Sequence, residues 1–154
     1  MIIPKKNTGV LMLGPVDGGR TKATRELFCG DVIICTEDIR KALGHKTTDL
    51  SVFEVLEEVI KAGVLTGHRI VVNASLVELS RRRLITSMFP RHYKMFYIVC
   101  YKPLEDRIKV STKTREFHNI QERKWLENKA QIQSGDCGLA MALAHPGDII
   151  EVEG

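Results

Sequence analysis

Apolar residues along this chain follow two rhythms. Five short runs, Val10 to Leu13, Val32 to Cys35, Ile70 to Val72, Met95 to Tyr101 and Ile149 to Val152, are continuous rather than alternating, the pattern of strands covered on both faces. Between them, Val52, Val55, Leu56, Val59 and Ile60 recur at helical spacing, with Glu54, Glu57, Glu58 and Lys61 on the other faces. Val77, Leu84, Ile85, Met88 and Phe89 repeat that spacing within residues 76–89, and residues 115–132 read as a third, more polar helix in which Trp125 belongs to the core. Strand and helix alternate, so the expected fold is α/β: a three-layer sandwich with a parallel five-stranded sheet flanked by helices, forming a single domain over residues 1–154. Open sheets of this kind bind ligands beyond the carboxyl ends of their strands.

Composition narrows the class of protein. An apolar content of 44% with 27% charged residues is that of a globular chain. No apolar run reaches the ~18 residues of a membrane span, and in MIIPKKNTG the charges follow the apolar residues, unlike a secretory signal. A cytoplasmic location and no membrane partner are therefore expected. Cys29, Cys35, Cys100 and Cys137 contain no C-x-x-C pair, which points to reduced thiols and away from zinc.

Charge is unevenly spread. The net charge is +4, yet residues 79–129 hold 13 basic residues against 5 acidic ones. Within that segment Arg81, Arg82, Arg83, Arg91, Lys94 and Lys102 occur with no acid between residues 79 and 104. Such a surplus suits a polyanion such as nucleic acid, and equally a solvated basic helix face.

The stretch GPVDGGRT at residues 14–21 follows the first apolar run and precedes the helical run RTKATRELF. Its spacing is that of the phosphate-binding loop G-x-x-x-x-G-K-[ST], with Arg20 at the lysine position. Gly14, Gly18 and Gly19 allow a tight wrap that points amides inward at phosphate oxygens, and the following helix adds the positive end of its dipole. Thr21 stands where a hydroxyl would hold magnesium. Arg20 keeps the charge but spreads it over a planar fork. Asp17 places a carboxylate on the rim of an anion site.

Three further stretches extend the pattern: CTEDIR at 35–40, NASL at 73–76 followed by Arg81, Arg82 and Arg83, and RIKVSTKTREF at 107–117. In this order and spacing, over residues 9 to 130, the chain resembles the phage-type polynucleotide kinase branch of P-loop kinases, a group similar to the zeta-toxin kinases. The resemblance implies ATP and magnesium as cofactors and a DNA or RNA 5′ end as partner. It implies Glu37 as the general base, Arg20 and Arg40 as further catalytic groups, and Gly14, Asp17, Gly18, Gly19, Arg20, Thr21 and Arg115 around the triphosphate. Asp38, Arg40, Asn73, Arg81 and Arg82 are implied at the acceptor, with Thr21 at the metal. Lys109 and Lys113 share the lid region with Arg115. Read without the resemblance, Glu37 and Asp38 are first-turn acids of a helix capped by Thr36. The family's aspartate at position 73 is an asparagine here, which carries no charge for a metal. Two classes of function follow, an ATP-dependent 5′-hydroxyl kinase and a catalytically impaired module that binds nucleotide or nucleic acid; a small nucleoside or nucleotide kinase is a further alternative.

Overall fold

The computed structural model describes residues 3–44, 47–134 and 148–152. The first apolar run becomes β1 (Thr8–Leu13), buried at all six positions. The other runs give β2 (Val32–Cys35), β3 (Ile70–Asn73), β4 (Lys94–Val99) and β5 (Asp148–Val152), in the spatial order β2-β3-β1-β4-β5. The helices are α1 (Arg20–Leu27), α2 (Thr36–Leu43), α3 (Asp49–Leu65), α4 (Leu79–Ser87), α5 (Leu104–Val110) and α6 (Arg115–Ser134).

The pleat sorts the core into two layers. Leu11, Leu13, Ile70, Val72, Tyr97 and Val99 face Leu56 and Ile60 of α3, Ile85 of α4, and Trp125 and Ile132 of α6. Val10, Met12, Val71, Phe96 and Ile98 face the other way, onto Ala23 of α1, Phe28 and Ile3. Successive side chains of a strand point to opposite faces, so a run apolar at every position requires cover on both. That requirement is met at β1 and β3 and along β4 beyond Lys94, whereas the edge strand β2 leaves Ile33 exposed.

Strand direction corrects one expectation. β2, β3, β1 and β4 are mutually parallel, giving four parallel strands rather than five. β5 runs antiparallel to β4, with Val99 opposite Asp148 and Met95 opposite Val152. An apolar run records burial and not direction, and antiparallel edges on parallel sheets are common. The turn-like stretches at 134–138 and 145–148 fall almost wholly outside the described residues, as does Cys137. Among the described residues no helix is long and apolar enough to cross a membrane.

The register aligns the carboxyl ends of the four parallel strands: Met12 and Cys35 both pair with Asn73, and Leu13 pairs with Val99. The segments after Leu13, Cys35, Asn73 and Val99 therefore open at one end of the sheet. There the backbone departs from ordinary geometry at Asp17, with φ 64°, and at Leu76, with φ 37°. Positive φ in a leucine is a strained arrangement that its surroundings must hold. Arg82, with no exposed surface, donates through Nη1 to the carbonyls of both Leu76 and Val77, tying that turn down from the first turn of α4.

Candidate functional site

At the end of β1 the chain turns against the backbone after β4. A Cβ on Gly14 would lie 2.0 Å from the carbonyl oxygen of Cys100, and Gly14 also has φ 141°, so only glycine fits. Gly18 donates its amide to the Pro15 carbonyl at 3.0 Å, and Ala23 donates to Gly19 at 3.0 Å. The amides of residues 16, 17 and 19–22 have no acceptor among the described residues. Gly19, at φ 97°, is the N-cap of α1 and offers no side chain to the helix end. A row of unpartnered amides at a helix N-terminus is an anion cradle. The residues present thus fit a polyphosphate tail.

This cradle is one wall of a cleft of about 660 Å³. Asp17, Gly19, Arg20, Thr21 and Lys22 line it from the loop and α1, Cys35 and Asn73 from the strand ends, Glu37 and Arg40 from α2, Phe53 from α3, Arg81 from α4, and Lys102, Val110, Lys113 and Phe117 from the segments after β4. Of the residues singled out from sequence, the structure brings Asp17, Gly19, Arg20, Thr21, Glu37, Arg40, Asn73 and Arg81 together around one space.

Electrostatics differ along the cleft. Arg20 pairs with no carboxylate among the described residues; burial pushes its guanidinium below the usual value, opposed by the nearby Cys35, Cys100, Asp17 and Glu37. A half-desolvated cation without a partner is best compensated by a bound anion. Burial pushes the Cys100 thiol up to about 11, with Arg20 pulling the other way. At pH 8 only about one Cys100 in a thousand is thiolate on that value. Iodoacetamide at pH 8 is therefore expected to modify the exposed Cys29 and leave Cys100 intact in peptide mapping of the folded protein; modified Cys100 would contradict its burial.

On the acceptor side, α2 starts at Thr36 with Cys35 as N-cap and no side-chain cap. This corrects the expectation of Thr36 as cap, because strand β2 runs directly into the helix. Glu37 is then exposed in the first turn and faces the cleft. Asn73, through its amide nitrogen, lies 3.2 Å from the Thr21 hydroxyl oxygen. That contact orients the hydroxyl but engages one of its lone pairs. Arg40 and Arg81 are bridged by Asp49, at 2.7 and 2.8 Å to its two oxygens, and the Arg81 guanidinium stands 6.0 Å from the Phe53 ring centre.

Other sequence-singled residues fall elsewhere. Asp38 is exposed and does not line the cleft. Arg82 faces inward onto the 76–77 turn, which corrects its place among acceptor contacts: its guanidinium is engaged by backbone carbonyls. Arg115 forms a two-pronged pair with Glu105, at 2.9 and 3.2 Å, on the open surface, so the lid cations lining the cleft are Lys102 and Lys113. Gly14 and Gly18 shape the loop from beneath.

Sequence reasoning gave no place at the site to Asp49, Lys102 or His118, Lys102 counting only among the basic residues after position 79. Asp49 carried a local signal, since Thr48 caps α3 by accepting from the Ser51 amide, which fixes the carboxylate at the helix start. Lys102 and His118 carried none, because they meet the loop only through the packing of β4 and α6.

No protein-family model and no curated protein matches the sequence. Solved structures do match the fold. One, the Pnkp1/Rnl/Hen1 RNA repair complex, is 12% identical with a TM-score of 0.69 over 80% of this chain. A second Pnkp1/Rnl/Hen1 complex is 15% identical with a TM-score of 0.60 over 72%. This chain spans less than half of either protein, 46% and 42% of their lengths. A gluconokinase from Sinorhizobium meliloti 1021 is 16% identical with a TM-score of 0.55, covering 79% of this chain and 76% of its own. At these identities the likeness is one of fold.

Proposed function

We propose that the chain binds ATP in the 14–21 loop and transfers the γ-phosphoryl group to the 5′-hydroxyl of a nucleic acid. The observation that carries this reading is the joint opening of the unpartnered amides, unpaired Arg20 and exposed Glu37 into one cleft, with Arg40 and Arg81 facing them. The basic surplus of residues 79–129 and the fold likeness to a protein of an RNA repair complex support a polymeric acceptor.

Phosphoryl transfer asks for position and charge rather than covalent chemistry. The loop amides and Arg20 would hold the triphosphate, with Lys102 and Lys113 over it. The acceptor oxygen forms its bond to the γ-phosphorus as the bond to the β-phosphate oxygen breaks, and Glu37 takes the hydroxyl proton. Arg40 and Arg81 would hold the acceptor's phosphate backbone, displacing Asp49. Thr21 would hold magnesium, which when bound would neutralise charge on the phosphates.

A second reading, a nucleotide-binding module with lapsed catalysis, is favoured by one contact: the Asn73 amide nitrogen on the Thr21 hydroxyl, where a charged aspartate would accept from it and support the metal. Incubation with magnesium, labelled ATP and a 5′-hydroxyl oligonucleotide separates the two. Label on the oligonucleotide supports the kinase; ATP binding without transfer supports the module.

A further inference from the structure

Asp17 puts a negative charge in a loop whose other features attract anions. His118, in the first turns of α6, has no exposed surface, and neither ring nitrogen has a hydrogen-bond partner. The nearest acid is Asp17 itself, whose Oδ2 lies 3.7 Å from His118 Nε2 with the carboxylate one-third exposed. An orphaned buried imidazole is costly unless it answers something, and here it sits at ion-pair distance from the single acid of the phosphate loop.

We propose that His118 is a positioning residue for the loop: its buried ring draws the Asp17 carboxylate away from the phosphate path, so that triphosphate affinity falls when the ring is removed. The proposal rests on the triphosphate reading of the cleft. Two groups compete for the Asp17 charge. Arg20 lies close enough to feel it, and an Arg20 satisfied by Asp17 has less to offer a phosphate. With the His118 ring beside it, Asp17 is answered from α6 and Arg20 is left for the ligand. Without that ring, Asp17 turns to Arg20 and repels the incoming anion.

Other groups around the pair do not take over this role. From the end of β4, Lys102 lies alongside Gly19, 3.4 Å from where a Cβ would be, and Cys100 is a neutral thiol at working pH. From α5, Arg107 is engaged by Glu122, one turn beyond His118 on α6. At the entry to α6, Lys113 stands 5.6 Å from the Phe117 ring, and Phe117 packs edge-on to His118 at 5.4 Å. The backbone permits the test substitution, since Asp17 at φ 64° occupies a region asparagine also adopts.

The test is ATP binding by calorimetry at one neutral pH and fixed low ionic strength, for wild type, Asp17→Asn, His118→Gln and the double variant. His118→Gln is expected to bind about tenfold weaker than wild type, a difference of about 1.4 kcal/mol, while Asp17→Asn binds at least as tightly as wild type. Adding Asp17→Asn to His118→Gln restores tight binding, which a loss of folding would not allow. His118→Gln binding as tightly as wild type, or a double variant as weak as His118→Gln, overturns the proposal while leaving the triphosphate reading intact. No binding by any of the proteins overturns both.

Discussion

Glu37→Gln is expected to lower phosphoryl transfer to a 5′-hydroxyl oligonucleotide by about 10² to 10⁴-fold, the range a positioned general base contributes, while ATP affinity changes little. The argument is local. Glu37 stands in the first turn of α2 because β2 feeds the helix directly at Cys35, and it lines the same cleft as Arg20, close enough for the two charges to act on each other. Glutamine keeps the size and the helix but cannot accept a proton. A rate assay at saturating ATP, paired with a binding measurement, reads both effects. Transfer that survives at the wild-type rate removes Glu37 from the reaction; loss of ATP binding with it would place Glu37 at the nucleotide instead.

Glu122→Ala is expected to destabilise the fold by about 3 to 5 kcal/mol, the cost of leaving a buried charge without its partner. Arg107 has no exposed surface, and its Nε and Nη1 already lack acceptors among the described residues; Glu122 is the carboxylate that pairs with it, while the Tyr101 ring centre lies 5.3 Å from its guanidinium carbon. The Tyr101 hydroxyl donates to the same carboxylate at 2.8 Å, and its ring lies against Trp125, centroids 5.6 Å apart. This node ties the exit of β4 and α5 to α6, and with them the helix that carries His118 and Phe117 over the loop. In thermal unfolding the change corresponds to a Tm lowered by roughly 6 to 20 °C for a chain of this size. A Tm within about 2 °C of wild type would mean that Arg107 finds another partner.

The parts of this molecule legible in its sequence are those set by local rules. Continuous apolar runs announced strands covered on both faces, and the glycines of GPVDGGRT announced the turn that Cys100 now crowds from beneath. Glu37, Arg40 and Arg81 reached the cleft because each sits within two turns of a strand's carboxyl end, where the sheet delivers its loops. What escaped was set by partners distant in sequence. Arg81 and Arg82 are neighbours with opposite fates, since a helix turns by about 100° per residue: one meets Asp49 at the rim and the other staples the strained turn at Leu76. Arg115 is drawn to Glu105 by the pairing of α5 with α6. His118 meets Asp17 across 101 positions of sequence, with no spacing to betray it, and the direction of β5 was not encoded in its apolar content.

The amides of residues 16, 17 and 19–22 and the Arg20 guanidinium are the proposed seat for a polyphosphate. Calorimetric titration of the wild-type protein and of Arg20→Ala with magnesium and ATP, at low salt where phosphate contacts are strongest, tests it most directly. Saturable one-to-one binding to wild type, weakened at least tenfold in Arg20→Ala, is the result expected; absence of binding to wild type, or equal affinity in both proteins, would contradict the account.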